Sequence, residues 1–325
     1  MAQGDRKLGR RDLLLGAAAL VGCEPAPLLR GPTRRPRAQT ASPASAVPSL
    51  AEPQTPEPTV SEPSQTAEAI PCGLAALTSR WPELGALPWR NVLEVATPLV
   101  PLPVEELGFA ELWLKQDAQS APGYGGSKPR KLEPLFGSAL AQGIEEVCTF
   151  GALGSNHVAA TAVHAKRLGL TSRAYLLPAP LDEHGRRNLE LCQLAGAKLL
   201  RVGSQREAEA KARRWLGRRS TAALFPWGGS SAVGDLGCVA AGLELASQFD
   251  RAGVPSPDYV FVAGGTLGTA VGLALGLRAA QLPTQLVVMR ASNRAPFTQA
   301  HFERELRATR GLLTVLAPAL VERLT

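Results

Sequence analysis

Asp258-Tyr259-Val260-Phe261-Val262-Ala263-Gly264-Gly265-Thr266-Leu267-Gly268-Thr269 is the stretch from which the fold can be read. A short apolar run, rich in β-branched and aromatic side chains, predicts a buried strand over 258–263. It breaks at two glycines and passes into a helical pattern that reaches about Ala280. Strand, glycine turn, helix is one half of a β-α-β unit. Glycines let backbone amides approach a guest closely, and a helix N-terminus favours an anion, so Gly265, Thr266, Leu267, Gly268 and Thr269 are candidate phosphate-binding residues. No Gly-Lys-Ser/Thr follows, so this is not a Walker loop, and a dinucleotide fingerprint is poorly met. Tight packing of helix on strand is the alternative use of such a turn.

The same rhythm runs outward from this point. Strands are predicted at 112–115, 146–150, 173–177, 198–202, 222–225 and 285–289. Helices are predicted at 129–142, from 157 to about 168, and at 186–195, 206–216, 233–249 and 297–310. Residues 71–117 read otherwise as an irregular lead-in, and Gly311–Thr325 as an apolar helix or strand end. Alternating strands and helices imply an α/β fold with a parallel sheet covered on both faces. In such sheets ligands bind beyond the C-terminal ends of the strands. Three polar or glycine-rich turns occupy that edge, around Ser155, Ser230 and Gly265.

A fourth segment, Gly125-Gly126-Ser127-Lys128-Pro129-Arg130-Lys131-Leu132-Glu133, can join them. Proline fits the first turn of a helix, where its missing N–H is no loss, so Lys128 sits at a helix mouth. Beside two further cations it loses its proton easily, and a neutral amine is what imine formation with an aldehyde requires. A solvated basic helix start is the plain alternative. In Gly154-Ser155-Asn156-His157 a Ser or Asn at a helix start is an N-cap by default; its functional use is to bind a carboxylate or a ring hydroxyl. His157 and His164 lie seven apart, two turns rather than one, and no acid completes a metal site. No Gly-x-Ser-x-Gly elbow supports a hydrolase triad.

The chain of 325 residues is 45% hydrophobic and 19% charged, enough for one large or two smaller cores. The net charge of +7 is spread out and only 5% of residues are aromatic, which argues against a nucleic-acid partner. Arg10-Arg11, the short apolar run Leu13–Val21 and Gly22-Cys23 resemble a bacterial twin-arginine lipoprotein signal over residues 1–22, with Cys23 the lipidated residue. That order implies an exported protein of the cell envelope, touching membrane only through a lipid anchor. A chance basic start in a cytoplasmic protein is the alternative. Residues 23–70, rich in Pro, Ser, Thr, Ala and Glu, read as a disordered tether. Cys72, Cys148, Cys192 and Cys238 show no ligand spacing and read as small apolar residues; a disulfide among them cannot be assigned from sequence.

Taken together, these segments resemble the 1-aminocyclopropane-1-carboxylate deaminase and D-cysteine desulfhydrase family. Residues 125–133 are similar to its GGNKxRKLE motif, Gly154-Ser155-Asn156-His157 to its QSNH turn, and Gly228-Gly229-Ser230-Ser231 with Gly234 to its GGSsxxG segment. Gly265–Thr269 resembles its GSGGT loop, and Gly272-Leu273 the continuation. Four motifs in order and spacing cover about Leu112 to Met289. The resemblance implies the tryptophan-synthase-β-like fold (fold type II) of pyridoxal-phosphate enzymes. Residues 71–325 would form two parallel-sheet domains with the site between them, about 138–225 being the smaller, inserted domain, and a homodimer is the usual assembly.

By resemblance, Lys128 bonds pyridoxal phosphate and moves the substrate α-proton, and Asn156 hydrogen-bonds the cofactor's phenolic oxygen. Ser155 holds the substrate carboxylate, Gly265–Thr269 cradle the phosphate, and Lys131, His157 and Tyr124 support them. The expected function is a lyase or deaminase on a small amino acid, releasing ammonia and a 2-oxo acid. Ser127 stands where the family has Asn, and Leu267 where it has a loop glycine. The family carries a tyrosine over the cofactor and a ring-nitrogen partner further along, whereas the tyrosines here are Tyr124, Tyr175 and Tyr259. That motivates a second expectation, a surface lipoprotein that keeps the fold and binds cofactor or a small anion without turnover.

Overall fold

The computed structural model describes residues 69–103, 111–291 and 297–324. The signal with Cys23 and nearly all of the 23–70 tether lie outside the described residues. The lead-in is more ordered than its sequence suggests. It forms helix α1 (Gly73–Thr78), a 3-10 turn (Pro82–Ala86), and strand β1 (Leu99–Pro101), which pairs antiparallel with β2 (Trp113–Lys115). Ala76, Leu77, Trp81, Leu84 and Leu87 are buried against the later helices. Apolar residues too irregularly spaced to show a period are thus held by tertiary packing.

Next come α2 (Lys128–Ala141), β3 (Glu146–Ala152), α3 (Asn156–Arg167), β4 (Thr171–Leu177), α4 (Glu183–Leu194), β5 (Lys198–Arg201), α5 (Gln205–Leu216) and β6 (Ala222–Leu224). The four strands β3–β6 make one parallel sheet in the order β5-β4-β3-β6. Val147–Gly151 of β3 and Ser172–Leu176 of β4 are continuously buried, as expected of parallel strands covered on both faces. Ser155, Asp182 and Ser204 cap α3, α4 and α5 by accepting from backbone amides of the first turn.

The remaining elements are α6 (Ala232–Ala252), β7 (Tyr259–Gly264), α7 (Gly268–Ala279), β8 (Gln285–Arg290), α8 (Gln299–Leu316) and α9 (Pro318–Glu322). The parallel strands fall into two sheets, as the resemblance implies: β7 and β8 pair parallel with each other and not with β3–β6. The strand read as buried is half open. Val260 and Leu286 pack on Leu245, Phe249 and Leu277, whereas Tyr259, Phe261 and Met289 on the opposite face are 52%, 59% and 57% exposed. The helix expected to end at Arg310 continues to Leu316, because Leu313 and Leu316 join the core beside Leu236, Val239 and Leu243.

Two close approaches set the position of α2. Pro134 lies inside that helix and has no N–H, so the carbonyl of Arg130, four residues earlier, lacks its helical partner. Helix α6 comes down onto that carbonyl at Gly237, where a Cβ would lie 1.8 Å from the oxygen. Helices α6 and α7 touch at Gly242 and Gly276 with no room for side chains between them. The long helix α6 is thereby clamped to the helix that starts at Lys128 and to the helix that starts at the phosphate-type loop.

Candidate active site

One turn of α2 sorts the four polar residues of its motif onto two faces. Lys128 and Lys131 are three apart and share one face; Arg130 and Glu133 share another. The second face is structural. Arg130, 2% exposed, donates through Nε and Nη2 to Asp117 at 3.0 and 2.7 Å and through Nη1 to Glu244 at 2.9 Å. Lys115 pairs with the same Glu244 and donates to the Thr97 carbonyl at 2.7 Å. Burial opposes the charged guanidinium, but Asp117 and Glu244 outweigh it and raise its pKa. Glu133 accepts from the amides of Val92 and Leu93 at 2.8 and 2.9 Å and from Trp89 Nε1 at 3.0 Å. Burial still pushes its carboxyl up to about 7.

The first face carries the candidate site. Burial, with Lys131 adding repulsion, pushes the Lys128 ammonium down to about 8. Its one hydrogen bond among the described residues is a long 3.4 Å contact to Ser127 Oγ, and no carboxylate pairs with it. Lys131, 1% exposed, donates to Ser230 Oγ at 2.9 Å. Ser230 Oγ lies 2.6 Å from Thr266 Oγ1 and accepts from the Gly268 amide at 3.2 Å. A cation, two hydroxyls and the first amide of α7 thus converge. Gly268 is required there, since a Cβ would fall 2.2 Å from Asp235 Oδ1 and 2.5 Å from Ser230 Oγ.

Leu267 adopts φ 65°, ψ −11°, the left-handed conformation, at the N-cap of α7. This is the position where the sequence departs from a glycine, and the backbone keeps the glycine-type turn despite the side chain. That side chain is 5% exposed, so its burial offsets the strain. From α8, His301 Nε2 lies 3.3 Å from the Thr266 carbonyl and Thr309 Oγ1 lies 3.4 Å from Asp235 Oδ2. Asp235 is fully buried, and burial pushes its carboxyl up to about 7 although Lys131 opposes the shift.

His157 is a fixed neutral ring. Thr149 Oγ1 lies 3.1 Å from the Phe225 carbonyl, which can only accept, so its proton goes there and His157 Nε2 at 2.9 Å donates to the hydroxyl. Burial, then Lys128 and Lys131, hold its pKa well below the usual histidine value. Ser155 Oγ accepts from the Val158 amide at 3.5 Å, so the default N-cap is realised and its hydroxyl proton stays available to a guest. Asn156 is exposed at the start of α3, where Tyr124 Oη, His184 Nε2 and Asn188 Nδ2 lie 3.1, 2.6 and 2.7 Å from its Oδ1. Burial pushes the Tyr124 phenol up to about 12, so it is a neutral hydroxyl at physiological pH.

These residues fit an aldehyde-bearing phosphate: a half-buried amine whose pKa is lowered to about 8, and a helix N-terminus flanked by hydroxyls and a second cation. The sequence signature of the pyridoxal-phosphate dependent enzymes matches residues 91–320. The chain belongs to that family. It is 38% identical over 213 residues to the nocardicin C-9' epimerase of Nocardia uniformis subsp. tsuyamanensis, covering 63% of this chain and 64% of the epimerase. It is 36% identical over 223 residues to the D-cysteine desulfhydrase of Serratia proteamaculans (strain 568), covering 65% and 67% of the two chains. The crystal structure of an ACC deaminase homologue superposes with a TM-score of 0.64 at 29% identity, covering 72% of each chain. Matches to the first two curated relatives span 64% of their lengths.

Among the described residues, no group of three His, Cys, Asp or Glu can hold a metal ion, no helix is long and apolar enough to cross a membrane, and all four cysteines are free thiols. Sequence reading missed Asp235, His184, Asn188 and the Arg130 network. Asn188 and His184 carry no local motif. The signal for Asp235 was present, an acid four residues into the helix after the Ser230 turn, but on a polar turn it reads as ordinary.

Proposed function

We propose that this chain is a pyridoxal-phosphate-dependent lyase or deaminase acting on a small amino acid, of the D-cysteine desulfhydrase or ACC deaminase kind. The observation that carries the reading is the Lys128 amine, half-buried, without a carboxylate partner among the described residues, and pushed down to about 8. Bound pyridoxal phosphate supplies an electron sink conjugated to the substrate α-carbon. Lys128 would hold the cofactor through its aldehyde, and its amine is placed to take the α-proton of a substrate such as D-cysteine; aminocyclopropane carboxylate has no α-hydrogen and would need ring opening instead. The amides of 265–269, with Thr266 and Lys131 beside them, would hold the phosphate, Asn156 would serve the phenolic oxygen, and Ser155 with the α3 N-terminus would hold the substrate carboxylate. For D-cysteine and water the products balance as pyruvate, ammonia and hydrogen sulfide. For aminocyclopropane carboxylate and water they are 2-oxobutyrate and ammonia.

The test is the purified full chain loaded with cofactor and given a panel of D- and L-amino acids and aminocyclopropane carboxylate. A visible band present in the native protein and lost in Lys128→Ala, with steady release of ammonia and 2-oxo acid, is the expected result. A band without turnover would favour the binding lipoprotein, and no band would defeat the reading. The 38% identity to an epimerase favours one further outcome. A proton returned to the opposite face by a second group, after Lys128 has taken the first, would give inverted substrate without ammonia, which chiral analysis of the recovered amino acid detects. Export with lipidation at Cys23 belongs to the same proposal, and fractionation finding an unprocessed cytoplasmic chain would overturn that part.

A further inference from the structure

The side chains around Asn156 form a chain of hydrogen bonds whose direction is fixed by one backbone carbonyl. Asn188, 2% exposed on α4, lies with Nδ2 2.9 Å from the Gly154 carbonyl, which can only accept. That contact identifies the Asn188 atom as nitrogen, so its other proton goes to Asn156 Oδ1 at 2.7 Å. Asn188 Oδ1 then accepts from Tyr124 Oη at 2.9 Å, and the single phenolic proton is shared with Asn156 Oδ1 at 3.1 Å. His184, exposed on the first turn of α4, places Nε2 2.6 Å from Asn156 Oδ1. An amide oxygen has no proton to give, so His184 Nε2 carries one and donates.

Asn188 and His184, both on α4, therefore fill the two lone pairs of Asn156 Oδ1, with the shared Tyr124 hydroxyl beside them. Among the described residues nothing accepts from Asn156 Nδ2. An amide whose oxygen is saturated can serve a guest only through its N–H, and donors on the oxygen polarise that N–H further.

We infer that His184 is a positioning residue: its Nε2–H on Asn156 Oδ1, beside that of Asn188, helps hold the amide with Nδ2–H as the group offered to the cofactor's phenolic oxygen, and strengthens that donor. The inference rests on the proposed cofactor site and concerns a contact that the four motifs do not contain. Its electrostatic consequence has a definite sign. A stronger donor to the phenolic oxygen favours the form that has lost a proton, so losing the His184 contact raises the pH midpoint of the visible band of lysine-bound cofactor.

The experiment compares the full chain with His184→Ala and His184→Gln, the latter keeping an N–H donor of similar reach. His184 is exposed, so all three fold alike. The expected result is a midpoint raised by about half a pH unit or more in His184→Ala and restored in His184→Gln. An unchanged midpoint in the Ala variant, or an equal shift in both, overturns the inference while the band itself upholds the cofactor site. A second measurement stands without cofactor. Nitrogen-15 spectra of the cofactor-free chain, with the His184 signal assigned through the Gln variant, should show a ring held as the Nε2–H tautomer and released by Asn156→Ala. A freely exchanging tautomer mixture in the native chain refutes it.

Discussion

Leu267 offers the sharpest test of how the phosphate-type loop is held. Its backbone is left-handed at φ 65°, and its side chain is 5% exposed. An L-residue in that conformation is strained by about 1–2 kcal/mol. Burying a leucine side chain contributes about 1.5–3 kcal/mol, enough to offset the strain. Leu267→Ala loses the packing and keeps the strain, so it should destabilise by about 2–5 kcal/mol. Leu267→Gly loses the same packing but relieves the strain, less the roughly 0.4–1 kcal/mol by which glycine's freedom favours the unfolded chain. The glycine variant should therefore be more stable than the alanine variant by about 0.5–1 kcal/mol, with native leucine above both. At an ordinary helical position alanine would win. The assay is urea unfolding of the cofactor-free full chain at constant m-value. An alanine variant as stable as the glycine variant would refute the strained-loop reasoning.

Two further outcomes follow from the buried charges. Arg130→Met leaves Asp117 and buried Glu244 short of their partner and should cost about 3–5 kcal/mol, while adding Glu244→Gln should recover part of that loss in a denaturant titration. Asp235, with a folded value of about 7 against an ordinary 3.8, holds a proton in the folded state that the unfolded chain has already released. Its contribution is full below about pH 4 and is lost as pH rises through 7, at no more than about 1.4 kcal/mol per pH unit. Asp235→Asn should flatten that part of the stability profile, leaving the similar but separate slope from Glu133; an unchanged profile would contradict the assignment.

Much of the site was legible because its parts are local. Pro129 after Lys128, Ser155 before a helix, and glycines between strand and helix each set their own backbone within a few residues. The Arg130 network was not legible, since Asp117 and Glu244 are distant in sequence and meet only when α6 docks on α2. Nor was the role of Glu133. As part of a basic-acidic helix start it reads as solvated, yet it ties down the lead-in through Val92, Leu93 and Trp89.

The sequence by itself determined the alternation of strands and helices, the helix mouth at Lys128 and the phosphate-type turn at 265–269, because periodicity and turn chemistry are short-range. Only the tertiary structure decided which strands pair, β7 with β8 and β3–β6 among themselves, and that Tyr259 and Phe261 are left exposed, because pairing partners are chosen by packing across the whole chain. It also decided that Lys128 lies half-buried beside Lys131, which moves its amine toward neutrality. That shift comes from desolvation and a second charge three residues on, and the desolvation exists only once α6 and the Ser230 turn have packed on the helix.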